Sequence, residues 1–363
     1  MKKLIYSLIL IVTLVFMFGC SAVKSPTNPS GGNNSTTDTP KENTNNQSGN
    51  YTIKDFYPFN SNTKFTFEGT GMEYASFSQY IDFVKDNKIQ IRKNNGGTEN
   101  VSVLENKDGE LKIVFSKSEC YYRENFLSKQ PNQNIVLLKE PLVKGTSWTL
   151  ADGSKRHITN VDVKVSTPAG TFKCIEVATE NSDSTIMDYY GLNKGLVKTV
   201  FKNKDIEVTS IVSKIEENAP LNQTIRLFYP NIEDNKLYYI DKTAAFNSND
   251  MSKLFFENEF KVAPAETVGK LLGSNVKINS LYLNDDGMLY VDFSSNFVKE
   301  MNAGSGYETM ILQSITNTLG NYYSVDKVYI TIEGDPYSSG HIEMKKGEPF
   351  KVKTDVSIKL NIK

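Results

Sequence analysis

Residues 64–215 alternate between apolar and polar side chains in a series of short segments, and this pattern constrains the fold more than any other feature of the sequence. The segments have the period of two expected of β-strands and are rich in β-branched and aromatic residues. Turn residues separate them, for example Lys107-Asp108-Gly109. We therefore predict an all-β domain over residues 51–217, built as a curved antiparallel sheet or a partial barrel. The clearest segments are residues 64–70, 88–94, 101–106, 111–116, 157–166, 172–180, 196–201 and 207–215.

The second folded region, residues 218–363, mixes strands with helices. Asp286-Gly287 lies between two apolar runs and predicts a hairpin, and a polar turn between two earlier runs predicts another. The predicted order is strand, strand, helix, strand, strand, helix, strand. This order is typical of an α+β domain with helices on one face of an antiparallel or mixed sheet. Three of the predicted strands are residues 225–229, 237–239 and 325–332.

Two helices are predicted in this region from their terminal residues. Pro264 has the position of a first helical residue and Gly273 follows the last apolar residue, so the first helix is placed between them. The second helix begins at Ser305, which forms an S-x-x-E capping box with Glu308, and ends at Gly320. Its apolar residues fall on one face, as expected of a helix that packs on a sheet.

The N-terminus has the organisation of an export signal. Lys2-Lys3 precedes an apolar run over residues 4–18 that is short for a membrane-spanning helix. The sequence MFGC at positions 17–20 resembles the lipobox of bacterial lipoproteins, which implies that Cys20 carries a diacylglycerol anchor after cleavage. We therefore expect a signal peptide over residues 1–19 and a protein anchored to the extracytoplasmic face of a bacterial cell membrane. An ordinary secretory signal with an incidental cysteine is the alternative.

Residues 20–50 connect this anchor to the folded regions. Residues 21–50 contain 23 Ser, Thr, Asn, Gly or Pro residues among 30, and their only apolar side chains are Ala22 and Val23. A segment of this composition cannot bury enough apolar surface to fold. We expect a disordered tether that holds the folded domains away from the membrane.

Composition argues against several classes of function. The net charge is −1, and only four of the 41 basic residues are arginine, the side chain that best recognises phosphates and base edges. Nucleic acid is therefore not expected as a partner. Two histidines and three cysteines do not supply a transition-metal cluster, and His341 has no serine or cysteine partner motif. Asp285 and Asp286 are interpreted as a hairpin turn, and Asp183 and Asp188 as a solvated strand edge. We expect no cofactor, no metal and no enzymatic activity.

Two features of the β-rich region leave alternatives open. Cys120 and Cys174 lie in one domain of an exported protein, so they form either a disulfide or two buried thiols. Curved antiparallel sheets can also enclose a ligand. Four tyrosines either line such a cavity or cover a small core, and they are Tyr121, Tyr122, Tyr189 and Tyr190.

Five sequence segments carry a family resemblance that spans most of residues 218–363. They are TIRLFYPN, APAETVGKLLG, YLNDDGMLYVDFSSNF, ILQSITNTLGNYYSVDKVYITIEGDP and SGHIEMKKGEPF. In this order they resemble the GerMN domain of the sporulation and spore germination protein GerM family. The earlier segments FYPFNSNTKFTFEG, TPAGTFKCIEV and YYGLNKGLVKTVF resemble an uncharacterised β-rich domain of clostridial and bacillary lipoproteins, which implies no activity.

The GerMN resemblance implies a noncatalytic module that assembles with other envelope or sporulation proteins, or with further copies of itself. No catalytic residue is implied. We expect an interface on an exposed sheet edge or helix face, because aromatic residues are enriched in interface cores. The alternative is that Phe293 and Phe297 are core residues. The candidate interface residues are Asp292, Phe293, Phe297, Tyr322 and Tyr323.

Two functions follow from these observations. The first is an envelope lipoprotein that contributes to sporulation or spore germination by assembling with other proteins through its GerMN-like domain. The second is an envelope lipoprotein of vegetative cells that binds a wall glycan or a lipid through its β-rich domain. Binding of a defined small molecule by the β-rich domain would favour the second.

Overall fold

The computed structural model of the protein describes residues 51–231 and 233–361. The predicted signal peptide, the lipid attachment residue Cys20 and the predicted linker lie outside the described residues. Within the described residues no helix is both long enough and apolar enough to cross a bilayer.

The first half of the described chain forms a single antiparallel sheet of twelve strands, which we call the open barrel. A short helix, α1 (Ile53–Phe56), precedes it. The strands form two meanders of six, which join where the first strand pairs with the last. They are β1 (Lys64–Thr70), β2 (Phe77–Lys85), β3 (Lys88–Asn94), β4 (Glu99–Lys107), β5 (Glu110–Lys117), β6 (Ile135–Lys139), β7 (Ser147–Thr149), β8 (Lys155–Thr167), β9 (Gly170–Glu180), β10 (Ser184–Gly191), β11 (Gly195–Asn203) and β12 (Glu207–Glu216).

The prediction of a curved antiparallel sheet or partial barrel is confirmed. Asp108 and Gly109 have φ angles of 53° and 71°, as the predicted tight hairpin between β4 and β5 requires. The two edge strands β6 and β7 approach each other without pairing. Side chains of β7 and β8 reach β6 instead, since the Trp148 indole donates to the Val136 carbonyl at 3.1 Å and Arg156 Nε donates to the Leu137 carbonyl at 3.0 Å. These bonds satisfy edge carbonyls that would otherwise be free to pair with another chain.

Helix α1 closes one end of the open barrel. Ile53 and Phe56 are fully buried in the barrel core, and the Ile53 amide donates to Glu140 Oε1 at 2.8 Å. Cys174 is also buried in this core, whereas Cys120 is buried in a second core that lies outside the barrel. Both are free thiols, so the disulfide alternative is not formed. Burial raises the pKa of Cys120 to about 11 and that of Cys174 to about 12.

The C-terminal domain, residues 221–361, has two small sheets and three helices in its described part. One sheet has the order β13-β14-β20, and the other is a mixed sheet with the order β15-β16-β17-β18, with β19 also paired to β17. The α+β class predicted for this region is confirmed. Its elements are β13 (Leu221–Asn231), β14 (Lys236–Phe246), α2 (Ser252–Phe260), β15 (Ile278–Leu283), β16 (Leu289–Phe293), α3 (Asn296–Met301), α4 (Ser305–Tyr323), β17 (Lys327–Ile332), β18 (Asp335–Pro336), β19 (Phe350–Lys351) and β20 (Ile358–Lys359).

The helix predicted between Pro264 and Gly273 is wrong, since α2 ends before this segment begins. The apolar residues used for the prediction are buried, but their backbone bonds are tertiary. The amides of Leu271 and Leu272 both donate to the Phe260 carbonyl at 2.8 Å. The apolar spacing therefore predicted correctly that these residues are buried. It did not predict their backbone structure, because the amides bond to the end of α2 and not within a helix of their own.

The capping box predicted at the start of α4 is also wrong. The N-cap residue is Gly304 and no side chain caps the helix. Ser305 is the first helical residue, and the Glu308 side chain is turned into the protein, where it is 2% exposed. The helix itself forms, because Ile311, Leu312 and Ile315 bury its apolar face. Its predicted end at Gly320 is wrong, since Gly320 is buried inside the helix, which continues to Tyr323 and is followed by Ser324 in the left-handed conformation.

Candidate functional site

The C-terminal domain packs on the outer wall of the open barrel, and the two share the second hydrophobic core, which is separate from the barrel core. We call this junction the interdomain seam, and the loop that joins β5 to β6, residues 118–134, forms part of it. Tyr122, Phe126 and Leu127 of this loop are buried in the same core as the centre of α4. A loop of this length in a compact domain commonly serves a function, and here it docks one domain on the other.

Arg123 lies at the centre of the interdomain seam and is fully buried. Its Nη1 pairs with Asp82 Oδ1 at 2.8 Å, and Asp82 is also fully buried. Its other guanidinium donors reach the carbonyls of Asp82, Asn247 and Asp250 at 2.7, 2.9 and 2.8 Å. The guanidinium therefore joins strand β2 of the barrel to the segment that precedes α2.

A second arginine completes the charge balance at Asp82. Arg92 contacts Asp82 at 3.0 Å and Glu99 at 2.6 Å, and it donates to the carbonyls of Cys120 and Tyr122. Asp82 and both guanidinium groups are thus buried together, and Glu99 lies at the edge of the network with 14% of its side chain exposed. Burial of charge is costly unless it is paired in this way.

Sequence reasoning missed this network, although the composition contained a signal. Three of the four arginines, Arg92, Arg123 and Arg156, are at most 5% exposed in a chain whose other cations are lysines. A planar guanidinium satisfies several acceptors at fixed angles, which a lysine ammonium does not. Three of the four arginines therefore mark buried groups, whereas Arg226 pairs with Asp241 at the surface.

Tyr322 and Tyr323, two of the predicted interface residues, do lie at an interface, but it is within the chain. The Tyr322 hydroxyl accepts from the Arg123 amide and donates to Gln223 Oε1, each at 2.9 Å. The Tyr323 ring is 2% exposed and packs against Tyr122 with ring centroids 4.6 Å apart. These two residues hold the C-terminal domain on the barrel.

The other three predicted interface residues stabilise the C-terminal domain itself. Phe293 and Phe297 are 0% and 1% exposed, and their ring centroids lie 4.6 Å apart inside the C-terminal domain. They are core residues, as the alternative stated. Asp292 Oδ1 accepts from Thr331 Oγ1 at 2.6 Å and from the Gly334 amide at 2.7 Å. This carboxylate therefore fixes the turn that follows β17.

Asp188 differs from its interpretation as a solvated strand edge. It is buried inside the open barrel, where Oδ2 pairs with Arg156 Nη2 at 2.7 Å and Oδ1 accepts from Thr199 at 2.8 Å. Asp183 is exposed in the preceding turn. The Tyr190 hydroxyl accepts from Arg156 Nη2 at 2.9 Å. Tyr190, one of the four tyrosines considered as cavity lining, is buried in the barrel core.

Glu308 and His341 form a polar cluster that the sequence did not reveal. Glu308 Oε1 accepts from the Tyr337 hydroxyl at 2.8 Å and from Ser339 Oγ at 2.5 Å, and Oε2 lies 2.7 Å from His341 Nδ1. A cleft of about 400 Å³ lies beside the cluster. Because the serine bonds to the carboxylate and not to the imidazole, this is not a serine–histidine relay. The cluster fastens residues 337–341 to α4.

The cluster makes stability depend on pH. Burial would raise the pKa of Glu308, but hydrogen bonds from Ser339, His341 and Tyr337 outweigh it and lower the pKa below 4.5. A depressed carboxylate pKa stabilises the folded state above about pH 4.5, and this contribution is lost as the pH falls through the folded-state pKa.

We expect Glu308→Gln to cost about 1.5–3 kcal/mol at pH 7, because an amide oxygen replaces a carboxylate that accepts three hydrogen bonds. The difference from the unsubstituted protein should shrink as the pH falls below 4.5. Urea unfolding at several pH values measures both effects. Glu343→Gln is the control, since Glu343 is exposed in the same segment. A difference that stays constant down to pH 3 would contradict the assignment.

The outer face of the second sheet carries a row of three tyrosines, which we call the tyrosine face. Tyr282, Tyr290 and Tyr329 are cross-strand neighbours on β15, β16 and β17. Ring centroids are 5.6 Å apart for the first pair and 5.1 Å for the second. Tyr282 is 38% exposed, whereas Tyr329 is buried with 7% of its surface exposed. This face lies opposite the core side of the sheet, which is formed by residues such as Val291.

No group of three or more His, Cys, Asp or Glu side chains in the described part of the chain is placed to hold a metal ion.

Residues 227–338, which include the tyrosine face and α4, match the family model Germane, described as sporulation and spore germination. This part of the C-terminal domain is similar to that family. The resemblance to the GerM family is therefore confirmed, and the C-terminal domain is hereafter the Germane domain. No protein of curated function matches the sequence.

Several solved structures are similar to parts of the chain. The tandem GerMN domains of GerM from Bacillus subtilis share 22% identity over 36% of this chain and 45% of that chain, with a TM-score of 0.26. The chain thus spans less than half of that structure. The first GerMN domain of the same protein shares 21% identity over 37% of this chain and 97% of that chain, with a TM-score of 0.26. A candidate lipoprotein from Parabacteroides distasonis shares 14% identity over 44% and 98%, with a TM-score of 0.27.

Proposed function

We propose that the protein is an extracytoplasmic lipoprotein that acts in sporulation or spore germination by binding other envelope proteins through its Germane domain. The observation that carries the proposal is the family match over residues 227–338. The role is noncatalytic in this proposal. Glu308 and His341, the acid–histidine pair described above, support this reading because the carboxylate is occupied by hydrogen bonds that fasten the chain.

The tyrosine face is the surface that we propose for the partner. The opposite side of the same sheet is buried against α4 and the interdomain seam is filled by the barrel, so neither is free for another protein. Tyr282 is exposed on the tyrosine face, and tyrosine is enriched among residues that dominate binding energy. Asp286 accepts from the Tyr290 hydroxyl at 2.8 Å and adds a polar rim.

Localisation through a spore-forming time course tests this function. We expect the protein with a C-terminal epitope to become enriched at the membranes around the forespore, and crosslinking there to capture a partner that Tyr282→Ala releases. A uniform peripheral signal in growing cells, unchanged during sporulation, would contradict the proposal. Capture that is equal for Tyr282→Ala and the unsubstituted protein would move the partner to another surface.

We expect Cys20→Ala to move the protein from the membrane fraction to the culture medium or to leave it unprocessed, because an acyl anchor would no longer form. Cell fractionation and intact mass measure the change. Cys174→Ala is the control, since it removes a cysteine from the barrel core and should leave the protein on the membrane. A Cys20→Ala protein that remains on the membrane at its mature mass would contradict lipid anchoring at this residue.

A second candidate function is supported by a different observation. Away from α1 the inner wall of the open barrel has half-buried polar side chains, such as Gln79, Asn100 and Thr199. Nearer α1 it is lined by fully buried aliphatic residues such as Ile89 and Leu138. Polar groups on the inner wall of a barrel are typical of a ligand site. This candidate corresponds to an envelope protein that binds a small molecule through its β-rich domain.

A further inference from the structure

The inner wall of the open barrel changes character along its length. Near α1 it is lined by fully buried aliphatic residues such as Ile89 and Leu138. Side chains alternate along a strand, so Lys93 projects to the same side of β3 as Ile89. It lies near the end of the strand that is remote from α1, between its register partners Gln79 and Asn100.

Lys93 brings a cation into this part of the barrel. Its Nζ lies 3.5 Å from the centre of the Phe77 ring, and Phe77 in turn stacks on Phe67 with ring centroids 4.3 Å apart. The attraction of the ring offsets part of the cost of removing the ammonium from water. Burial lowers the pKa of Lys93 to about 8, and the charge of Asp188 acts in the opposite direction.

Asp188 does not serve as the counterion of Lys93. Its two oxygens are occupied by Arg156 at 2.7 Å and by Thr199 at 2.8 Å, and it makes no ion pair with Lys93. Arg156 and Asp188 therefore balance each other. Among the described residues, the inner wall near Lys93 keeps one ammonium that has neither an ion-pair partner nor a hydrogen-bond acceptor.

We propose that the open barrel binds an anionic ligand at its polar end, with Lys93 as the counterion of a carboxylate or phosphate group. Gln79 and Asn100, the register partners of Lys93, lie on the same wall and offer amide groups to the remainder of the ligand. A pocket with one charged group and several neutral donors is the usual design of a small-molecule site. The inference rests on the second candidate function and is independent of the role proposed for the Germane domain.

Thermal unfolding of the purified full-length protein tests the proposal. The probes are inorganic phosphate, glycerol 3-phosphate and acetate, each compared with sodium chloride at equal ionic strength. A ligand that binds only the folded state raises the unfolding midpoint. We expect at least one probe to raise it for the unsubstituted protein and for Lys198→Met, but not for Lys93→Met. Lys198 is the matched control because its ammonium lies over the Tyr189 ring at 5.5 Å on the outer wall.

The pH profile adds a second readout without any probe. The folded-state pKa of Lys93 is about 8, below its ordinary value of 10.5, so the unfolded state binds the proton more tightly. Lys93→Met should therefore unfold at a higher temperature than the unsubstituted protein at pH 7, and the difference should disappear between pH 8 and pH 10.5. A bound anion should reduce this difference.

Two results would overturn the proposal. The first is that no anionic probe raises the unfolding midpoint of the unsubstituted protein. The second is an equal rise in Lys93→Met, which would identify a different, adventitious anion site. A neutral sugar, N-acetylglucosamine, serves as a fourth probe. If it stabilises both proteins equally while the anions have no effect, an anion site at Lys93 is excluded and ligand binding by the barrel stays in place. A rise in the unfolding midpoint with glycerol 3-phosphate but not with inorganic phosphate would indicate that the ligand is an esterified headgroup.

Discussion

Replacement of Arg123 by methionine should lower the free energy of unfolding by about 3–5 kcal/mol, because it breaks a buried ion pair and leaves Asp82 with one cation where it had two. The substitution also removes donors from the carbonyls of Asn247 and Asp250. The loss is expected in both domains at once, since the guanidinium joins them. Urea unfolding followed by far-UV circular dichroism measures it.

Arg226→Met is the matched control for this experiment. Arg226 also pairs with an aspartate, Asp241, at 2.8 Å, but its side chain is 39% exposed. An exposed pair of this kind contributes at most about 1 kcal/mol. If Arg123→Met and Arg226→Met cost the same, the buried network would not be the main connection between the two domains.

Replacement of Phe297 by alanine should cost about 3–5 kcal/mol, the usual range for removal of a buried aromatic ring from a packed core. Phe297 is 1% exposed and contacts the rings of Phe293 and Tyr337, with centroids 4.6 and 6.0 Å away. Tyr337 donates to Glu308, so the cavity should also loosen the segment that Glu308 holds. Thermal and urea unfolding of the full-length protein measure the change.

Tyr282→Ala is the control for Phe297→Ala, and it separates a core role from an interface role. Tyr282 is 38% exposed and stacks on Tyr290, so its loss should cost no more than about 1.5 kcal/mol. We expect Tyr282→Ala to weaken partner capture at nearly unchanged stability. A Phe297→Ala protein of unchanged stability that no longer captures a partner would reverse these roles.

The arrangement of the two domains has a consequence for function. The joint between Glu216 and Leu221 is short and polar, which by itself permits independent motion. The buried ion pairs and the contact of Tyr122 with Tyr323 oppose such motion. A partner on the tyrosine face and a ligand in the barrel would therefore bind to two domains that move together. Binding at either site can be measured after a substitution at the other.

Much of the fold could be read from local patterns. Alternation placed strands such as β1 and β3 at the right residues, and Asp108-Gly109 marked a hairpin whose positive φ angles the backbone adopts. β2 was not among the predicted segments, although two of its side chains, Phe83 and Tyr80, are buried. It carries consecutive buried residues on both faces because one face lies in the barrel and the other in the interdomain seam, so its alternation is lost.

The errors share one physical cause, which is that a local pattern does not specify its partner. The segment before Gly273 has helical spacing, but its amides bond to Phe260. Glu308 has the spacing of a capping residue, but Tyr337, Ser339 and His341 offer it more donors than a helix end does. In both cases groups that are distant in the sequence compete successfully with near neighbours.

Periodicity, turn residues and motif order are local properties, and they are enough to predict the class of each domain, the position of most strands and the resemblance of the C-terminal domain to the GerM family. They do not predict which charges are paired. Asp82 with Arg123, Asp188 with Arg156 and Glu308 with His341 join residues that are 32 to 41 positions apart. Burial makes such pairs strong, and burial is a property of the folded chain, so no local pattern records it.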